Sequence, residues 1–376
     1  MAVQRDVLVI GGGVIGLTTA YFLARDGVQV TIIDQGELGR EASWAGAGII
    51  PPGNFDRAQT ALDHLRALSA AMFGPLSAEL RERTGIDNGY RVCGGVELAS
   101  GIDEAILQAW QREAIPFEPI PAAELSHVEP AFSAVCEDGY YLPGMAQVRN
   151  PRHLKAFIAA LKSFGVEMLP NLPVLRLQPN RSGIIQAVET PTGPLAAQRF
   201  LLTAGAWTAR LLEPLGRRCD ITPIRGQIVM FLAAEPIFKT ILLRGKHYLV
   251  PRDDGRVLAG STEENAGFIK VNTDAAIAEL TAFARRFVTV LEQAPVESTW
   301  AGLRPGSADG LPTLGRHPDF DNLFLAGGHF RAGIQLSPAT GRVMSELLRG
   351  RPTSVPLADF RLDRPHGIRQ KTRFHS

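Results

Sequence analysis

Three glycines and one acid near the N-terminus have the types and spacing that a phosphate and a ribose can use. Gly11, Gly13 and Gly16 form a G-x-G-x-x-G run, preceded by Asp6-Val-Leu-Val-Ile10 and followed by an apolar stretch to Arg25. The first glycine permits a tight strand-to-helix turn, the second admits a pyrophosphate to the backbone, and the third lets the helix pack on the strand. The free amides and partial positive charge of a helix start face such an anion. Asp34 ends a second apolar run, Val28–Ile33, 18 residues after Gly16. A carboxylate there accepts from both ribose hydroxyls and repels a 2′-phosphate. The first 34 residues therefore read as one βαβ dinucleotide unit, with NADP disfavoured.

Two later segments bear on which dinucleotide. Gly39 to Ile50 is a run of small residues around Ser43, able to lie flat against a planar ring and to offer one hydroxyl. Far away, Gly327-Gly-His329-Phe-Arg331-Ala-Gly333 precedes Ser337-Pro338, which is expected to open a helix to Leu348. A helix start aimed at the edge of a flavin stabilises the negative charge that develops on reduction.

The rest of the chain must position these groups. Its 376 residues suggest more than one domain, and 45% apolar composition is that of a globular protein. With 39 basic and 38 acidic residues the net charge is +1, so a chain-wide basic surface for nucleic acid is not expected. Cys93, Cys136 and Cys219 lie far apart, which excludes a disulfide framework and a thiolate zinc site and fits a reducing compartment. Histidine spacing gives no support for a metal. Val7 to Ala24 carries no charge over 18 residues, but four glycines within six positions make a poor membrane helix. A cytoplasmic protein without stable membrane insertion is expected.

Helical spacing covers about Phe55 to Glu82, with a break or kink at Gly74-Pro75. Arg91 to Leu98 reads as a strand and Glu104 to Glu113 as a helix. Asn150 is expected to cap a helix that has Pro151 at its first position and stops at Gly165. Short strands over Val166–Leu169, Val174–Leu177 and Ile184–Glu189 suggest a β-meander leading to a core strand at Phe200–Ala204. Residues 221–304 read as antiparallel strands with a hairpin at Asp253-Asp-Gly255 and one helix, about Thr273 to Glu292. Asn322–Ala326 is again a buried strand, and Arg364–Ser376 a frayed tail. The fold class is α/β (α+β overall): a Rossmann-like cofactor domain (1–85, 145–220, 305–364), an interleaved antiparallel β-sheet substrate domain (86–144, 221–304), and a flexible tail (365–376).

The sequence resembles the FAD-dependent amine oxidases related to D-amino acid oxidase, sarcosine oxidase and glycine oxidase. Four segments carry the likeness, which runs from Val7 to about Arg349: Gly11–Gly16 with Asp34; Ser43–Ile50; Leu202-Thr-Ala-Gly205-Ala-Trp207; and Trp300-Ala-Gly-Leu-Arg304-Pro with Gly328–Thr340. The last is most similar to the glycine oxidases of thiamine biosynthesis. The resemblance implies FAD held by Gly11, Gly13, Val14, Ile15, Gly16, Asp34, Gln35, Ala42, Ser43, Ala47, Gly48, Ile49, Gly205, His329, Phe330, Arg331, Ala332, Gly333, Ile334 and Gln335, with Val174 holding the adenine through its backbone. It also implies Arg331 as the clamp on an amino acid's carboxylate, assisted by Arg304 and Tyr248. Relatives that attach flavin covalently use a cysteine near the C-terminal segment or a histidine near Ser43. Neither exists here, so FAD is expected to be noncovalent.

The activity so implied is oxidative deamination of glycine or a small D- or N-methyl amino acid by hydride transfer to flavin, with O2 reduced to H2O2. It would serve the thiazole branch of thiamine biosynthesis, in a homotetramer by resemblance. Lys246 and His247, beside Tyr248, are cations placed either to assist oxygen reduction or at a solvated loop tip. Two rivals stay open: a D-amino acid dehydrogenase that passes electrons to a quinone or carrier, and a non-catalytic FAD-binding module.

Overall fold

A computed structural model describes residues 5–132 and 135–365. The strand Val7–Ile10 is wholly buried, as a β-branched run in a parallel sheet must be. It turns into the helix Val14–Arg25 and returns beside itself as Val30–Ile33, Val7 facing Val30 and Ile10 facing Ile33. Arg199–Leu202 pairs with its other side, and Leu323–Gly327 lies beyond that, both parallel. Glu167–Leu169 and the antiparallel Thr313–Arg316 close the two edges of this six-stranded sheet. The chain leaves Val7–Ile10 to one side first and fills the other side later. The carboxyl ends of Val7–Ile10 and Arg199–Leu202 therefore flank a crevice at the point where strand order reverses.

Helices cover the sheet. Val14–Arg25 and Gly333–Leu348 cross so closely that a Cβ on Gly341 would lie 2.6 Å from Thr18 Cγ2. The helix Ala61–Thr84 starts at a capping box, in which Thr60 Oγ1 accepts from the Asp63 amide and Asp63 returns a bond to the Thr60 amide, each 3.2 Å. Pro75 does not break it. The buried face formed by Leu65, Phe73, Leu76 and Leu80 holds both halves against the core, which outweighs one missing helical bond.

An eight-stranded sheet forms the second layer, running Val296–Gly306, Thr222–Leu232, Arg256–Gly260, His247–Pro251, Ile241–Arg244, Gly95–Leu98, Gly139–Leu142 and Glu118–Ile120. Its neighbours are antiparallel except Ile241–Arg244 with Gly95–Leu98, a parallel pair that the sequence pattern did not disclose. The hairpin at Asp253-Asp-Gly255 forms, with Gly255 at φ 80°. Trp300 Nε1 donates to the Ala45 carbonyl at 3.0 Å, and a Cβ on Gly302 would lie 2.6 Å from Ala45 Cβ. Those two contacts seat the second sheet on the short helix Ala42–Ala45.

Several local expectations need correction. Arg91–Leu98 is two strands, interrupted where Gly94 adopts φ 70° against the Tyr141 ring. Glu167–Leu169 belongs to the parallel sheet, so the meander consists of Arg176–Pro179, Ile185–Thr190 and Gly193–Ala196. Asn150 lies inside its helix and its Nδ2 donates to the Ser43 carbonyl at 2.9 Å, so that side chain is not a cap. The helix Asp274–Phe287 ends before a separate 3-10 turn, Thr289–Glu292. The C-terminal helix begins at Gly333, a full turn before Ser337-Pro338. Arg364 is not frayed: Nε and Nη2 make a two-bond fork with Asp309 at 2.7 and 3.0 Å. Residues 366–376 of the expected tail lie outside the described residues. Among the described residues, no helix is long and apolar enough to cross a membrane.

Candidate active site

One long cleft opens at the switch point and extends to the second sheet, reaching from Asp34 past Gly13 and Ser43 to Arg304, Arg331 and Tyr248. Each glycine of the N-terminal turn has a separate steric reason. A Cβ on Gly11, at φ 114°, would lie 2.4 Å from the Thr203 carbonyl oxygen, and one on Gly16 would lie 2.0 Å from the Gly11 oxygen. A Cβ on Gly13 would meet only Ser43 Oγ, at 3.3 Å, because this glycine faces the open cleft. Thr203 Oγ1 fixes the turn from across the sheet by donating to Gly11 O at 2.7 Å.

Two helix starts face the same cleft. Val14–Arg25 and Gly333–Leu348 both lack a side-chain N-cap bond and any acid in the first turn, so their partial positive charge is not neutralised from within. Ser43 Oγ accepts from the Val14 amide at 2.9 Å. Asp34 accepts from the Gly12 amide at 2.7 Å and the Gly36 amide at 2.9 Å. Burial raises its carboxyl pKa, and those two amides oppose the rise. Phe330 lines the cleft at φ 49°, the left-handed region that a large side chain rarely enters.

At the far end, Arg304 stands on the strand Val296–Gly306 opposite Ile224. Its guanidinium lies against Gly226, whose Cβ would be 2.1 Å from Nη1, so a larger residue there would displace the guanidinium. Nη1 donates to the Thr262 carbonyl at 2.9 Å and Nη2 to Ser261 Oγ at 2.6 Å. No carboxylate forms an ion pair with it among the described residues. Burial, then the nearby Arg331, pushes its pKa down to about 10. Arg331 Nη1 donates to Glu263 Oε1 at 2.6 Å and Nη2 to the Lys246 carbonyl at 3.0 Å. Tyr248 is buried with its ring over Gly260, whose Cβ would lie 2.5 Å from the hydroxyl.

Of the residues singled out from sequence, Gly11, Gly13, Val14, Ile15, Asp34, Gln35, Ala42, Ser43, Ala47, Gly48, Ile49, Val174 and Gly205 line this cleft. His329, Phe330, Arg331, Gly333, Ile334, Gln335, Tyr248 and Arg304 line it too. Gly16 and Ala332 do not; the first is a packing glycine and the second sits in the 3-10 turn before the helix. The His329 ring forms a 3.1 Å bond with Thr340 Oγ1, and burial depresses its pKa to about 3, so it is neutral at pH 7. Lys246 and His247 turn toward Glu279, and neither side chain lines the cleft.

Sequence reasoning missed Ser261, Thr203, Glu41, Trp207 and Arg210 as lining residues and Glu263 as the partner of Arg331. The polar run Ser261-Thr-Glu-Glu264 directly after a buried strand was a usable signal. Trp207 and Arg210 grip Phe268 of the second layer: the Trp207 ring centroid is 5.5 Å from that of Phe268, and Arg210 Cζ lies 3.6 Å above it. Lys270 adds an ion pair with Glu41 at 2.8 Å.

The family described as FAD dependent oxidoreductase matches residues 6–347. This chain belongs to that family. Among curated relatives of this FAD-dependent oxidoreductase, it is 38% identical to a glycine oxidase of Pseudomonas putida and 36% identical to one of Pseudomonas aeruginosa. Each alignment covers 95% of this chain and 98% of the relative. The crystal structure of glycine oxidase from Geobacillus kaustophilus superposes with a TM-score of 0.90 at 33% identity, over 97% of this chain and 100% of that one. The cleft suits the cofactor this FAD-dependent oxidoreductase uses. Its open glycine face, beside a helix start with no acid in the first turn, could take a pyrophosphate, and Asp34 could take a ribose.

Proposed function

We propose that this enzyme oxidatively deaminates glycine, or a small D- or N-methyl amino acid, with dioxygen as acceptor. The observation that carries the reading is Arg304. A half-buried guanidinium that, among the described residues, is bonded only to a carbonyl and a hydroxyl calls for an anion, because a poorly solvated charge without a counter-charge is costly. An amino acid's carboxylate supplies that anion, in a planar two-bond fork. Gly13, Asp34, Ser43 and the first turn of Gly333–Leu348 would hold FAD, and Val174 would meet its adenine. When bound, FAD accepts a hydride from the substrate carbon and delivers the electrons to dioxygen.

The chain's own residues do the rest. Arg304, held by Ser261 and Thr262, fixes the carboxylate, and Tyr248 walls the site with a hydroxyl directed by the ring's seat on Gly260. The buried strands on both sides exclude water from the reacting carbon. No protein base is required, since the free amine's lone pair assists loss of hydride; His329, neutral and bonded to Thr340, is not one. On this reading FAD binds noncovalently, since no cysteine follows Cys219 and no histidine lies between Leu38 and Ile50. The 31% identity to the bifunctional protein ThiO/ThiG of Nostoc, of which this chain matches 55%, supports a role in the thiazole branch of thiamine biosynthesis.

The test is oxygen uptake by the FAD-loaded protein with glycine, paired with glyoxylate and peroxide assays. Uptake with both products supports the reading. Dye reduction without uptake overturns it in favour of a dehydrogenase, and failure of any small amino acid to bleach the flavin anaerobically overturns both.

A further inference from the structure

The substrate end of the cleft has two guanidinium groups but only one uncompensated charge. Arg331 carries Glu263 on Nη1 at 2.6 Å, with side chains 12% and 30% exposed respectively. Arg304 carries no carboxylate among the described residues. The other charged groups nearby are committed elsewhere. Glu264 accepts from Arg225, from Gln227 Nε2 at 2.7 Å and from Thr262 Oγ1 at 2.5 Å. Lys246 and His247 turn to Glu279. The balance is therefore close to +1, which matches an amino acid bound as free amine and single carboxylate.

We propose that Glu263 is a specificity-determining residue, which tunes the site to one carboxylate and rejects substrates that carry a second. This rests on reading the cleft as an amino acid oxidase site. A second carboxylate entering near Arg331 must either displace Glu263 from Nη1 or lie beside it. Both arrangements place like charges together at the rim of the cleft, a repulsive element that discriminates without any contact to the favoured ligand. Removing the Glu263 charge leaves two cations facing the cleft, and dicarboxylates then gain relative to monocarboxylates.

The experiment uses the FAD-loaded enzyme and titrates acetate and malonate by calorimetry into wild type, Glu263→Gln and Glu263→Asp. Glu263→Gln should shift the malonate-to-acetate affinity ratio toward malonate by about tenfold, because the repulsion is lost while the side-chain shape is kept. Glu263→Asp, which retains the charge, should stay near the wild-type ratio. A Glu263→Gln shift below threefold, or an equal shift in Glu263→Asp, overturns the proposal. Should Glu263→Gln fail to hold FAD, Glu263→Ser carries the same expectation and the same threshold. Wild-type turnover of glycine, measured in parallel, tests the function itself; the binding ratio is read whether or not glycine is oxidised.

Discussion

The hydroxyl of Ser337 donates to the carbonyl of Ile334 at 2.9 Å and so takes up an oxygen that Pro338, lacking an N–H, leaves without a helical partner. One residue on, Ser69 Oγ donates to the Gln335 carbonyl at 2.6 Å. The helix that faces the cleft with its N-terminus thus passes through a proline because two hydroxyls complete its ladder. Ser337→Ala should destabilise the fold by about 1–3 kcal/mol, the cost of leaving a buried carbonyl unpaired. Urea unfolding of the FAD-loaded protein measures it; an unchanged midpoint shows that the bond contributes nothing.

The same proline shows where sequence reading stops. Ser337-Pro338 reads as a helix start, since proline is favoured in a first turn, and only its own serine's bond to the preceding turn and a hydroxyl from another helix reveal it as interior. The βαβ unit was legible because three glycines and an acid each satisfy a local requirement. The second layer's hairpin was legible for the same reason. The parallel pairing of Ile241–Arg244 with Gly95–Leu98 was not, because it joins segments more than a hundred residues apart through no local signal. Arg331 was found by type, but its Glu263 partner comes from another strand's end, and no spacing rule connects them.

Gly13 and Gly16 should respond in opposite ways to alanine. At Gly16 the methyl would meet backbone at 2.0 Å, so Gly16→Ala should lose about 2–3 kcal/mol or more of stability even without cofactor. At Gly13 the methyl would meet only the Ser43 hydroxyl, at 3.3 Å, which need give by only a few tenths of an ångström, so Gly13→Ala should nearly keep its apo melting temperature and lose FAD affinity. Melting of the apo forms and FAD titration of each separate the two. Equal apo destabilisation would mean that Gly13 packs as Gly16 does.

Glu264 gives the acid limb of the stability profile a specific source. Burial alone would raise its pKa, but bonds from Arg225, Thr262 and Gln227 prevail and draw it down to about 2. A carboxyl depressed in the folded state stabilises it above the unfolded pKa, near 4.5, and that contribution is lost as pH falls from there toward 2. Glu264→Gln should therefore flatten the decline of melting temperature between pH 4.5 and 2, at the cost of lower stability at neutral pH. Parallel slopes for variant and wild type across that window would assign the acid sensitivity elsewhere.

Phe268 spans the two layers beside the cofactor cleft, clasped by Trp207 and Arg210, both of which line it. Losing an aromatic and a cation–π contact removes about 1–2 kcal/mol of that clasp. Phe268→Ala should then release FAD several-fold faster on dilution, read from the recovery of free flavin fluorescence. The KM for glycine should move little, because the substrate end lies at Arg304. An unchanged release rate would show that the span closes nothing.

Arg304 and Arg331 should also prove unequal. Arg304 is aimed by Ser261 Oγ and the Thr262 carbonyl and has no carboxylate partner among the described residues, whereas Arg331 already holds Glu263. Arg304→Lys keeps the charge but loses the fork, and a lysine cannot bridge Ser261, Thr262 and a carboxylate in one plane. Its kcat/KM for glycine should fall about a hundredfold, or roughly 3 kcal/mol of transition-state binding, with the FAD spectrum intact. Ser261→Ala, which removes only the aim, should cost about tenfold, as expected for one hydrogen bond to a charged group. Arg331→Lys can still pair with Glu263 and should fall less than Arg304→Lys. If Arg331→Lys is instead the more damaged, the carboxylate sits on Arg331 and Glu263 must leave that arginine whenever substrate binds.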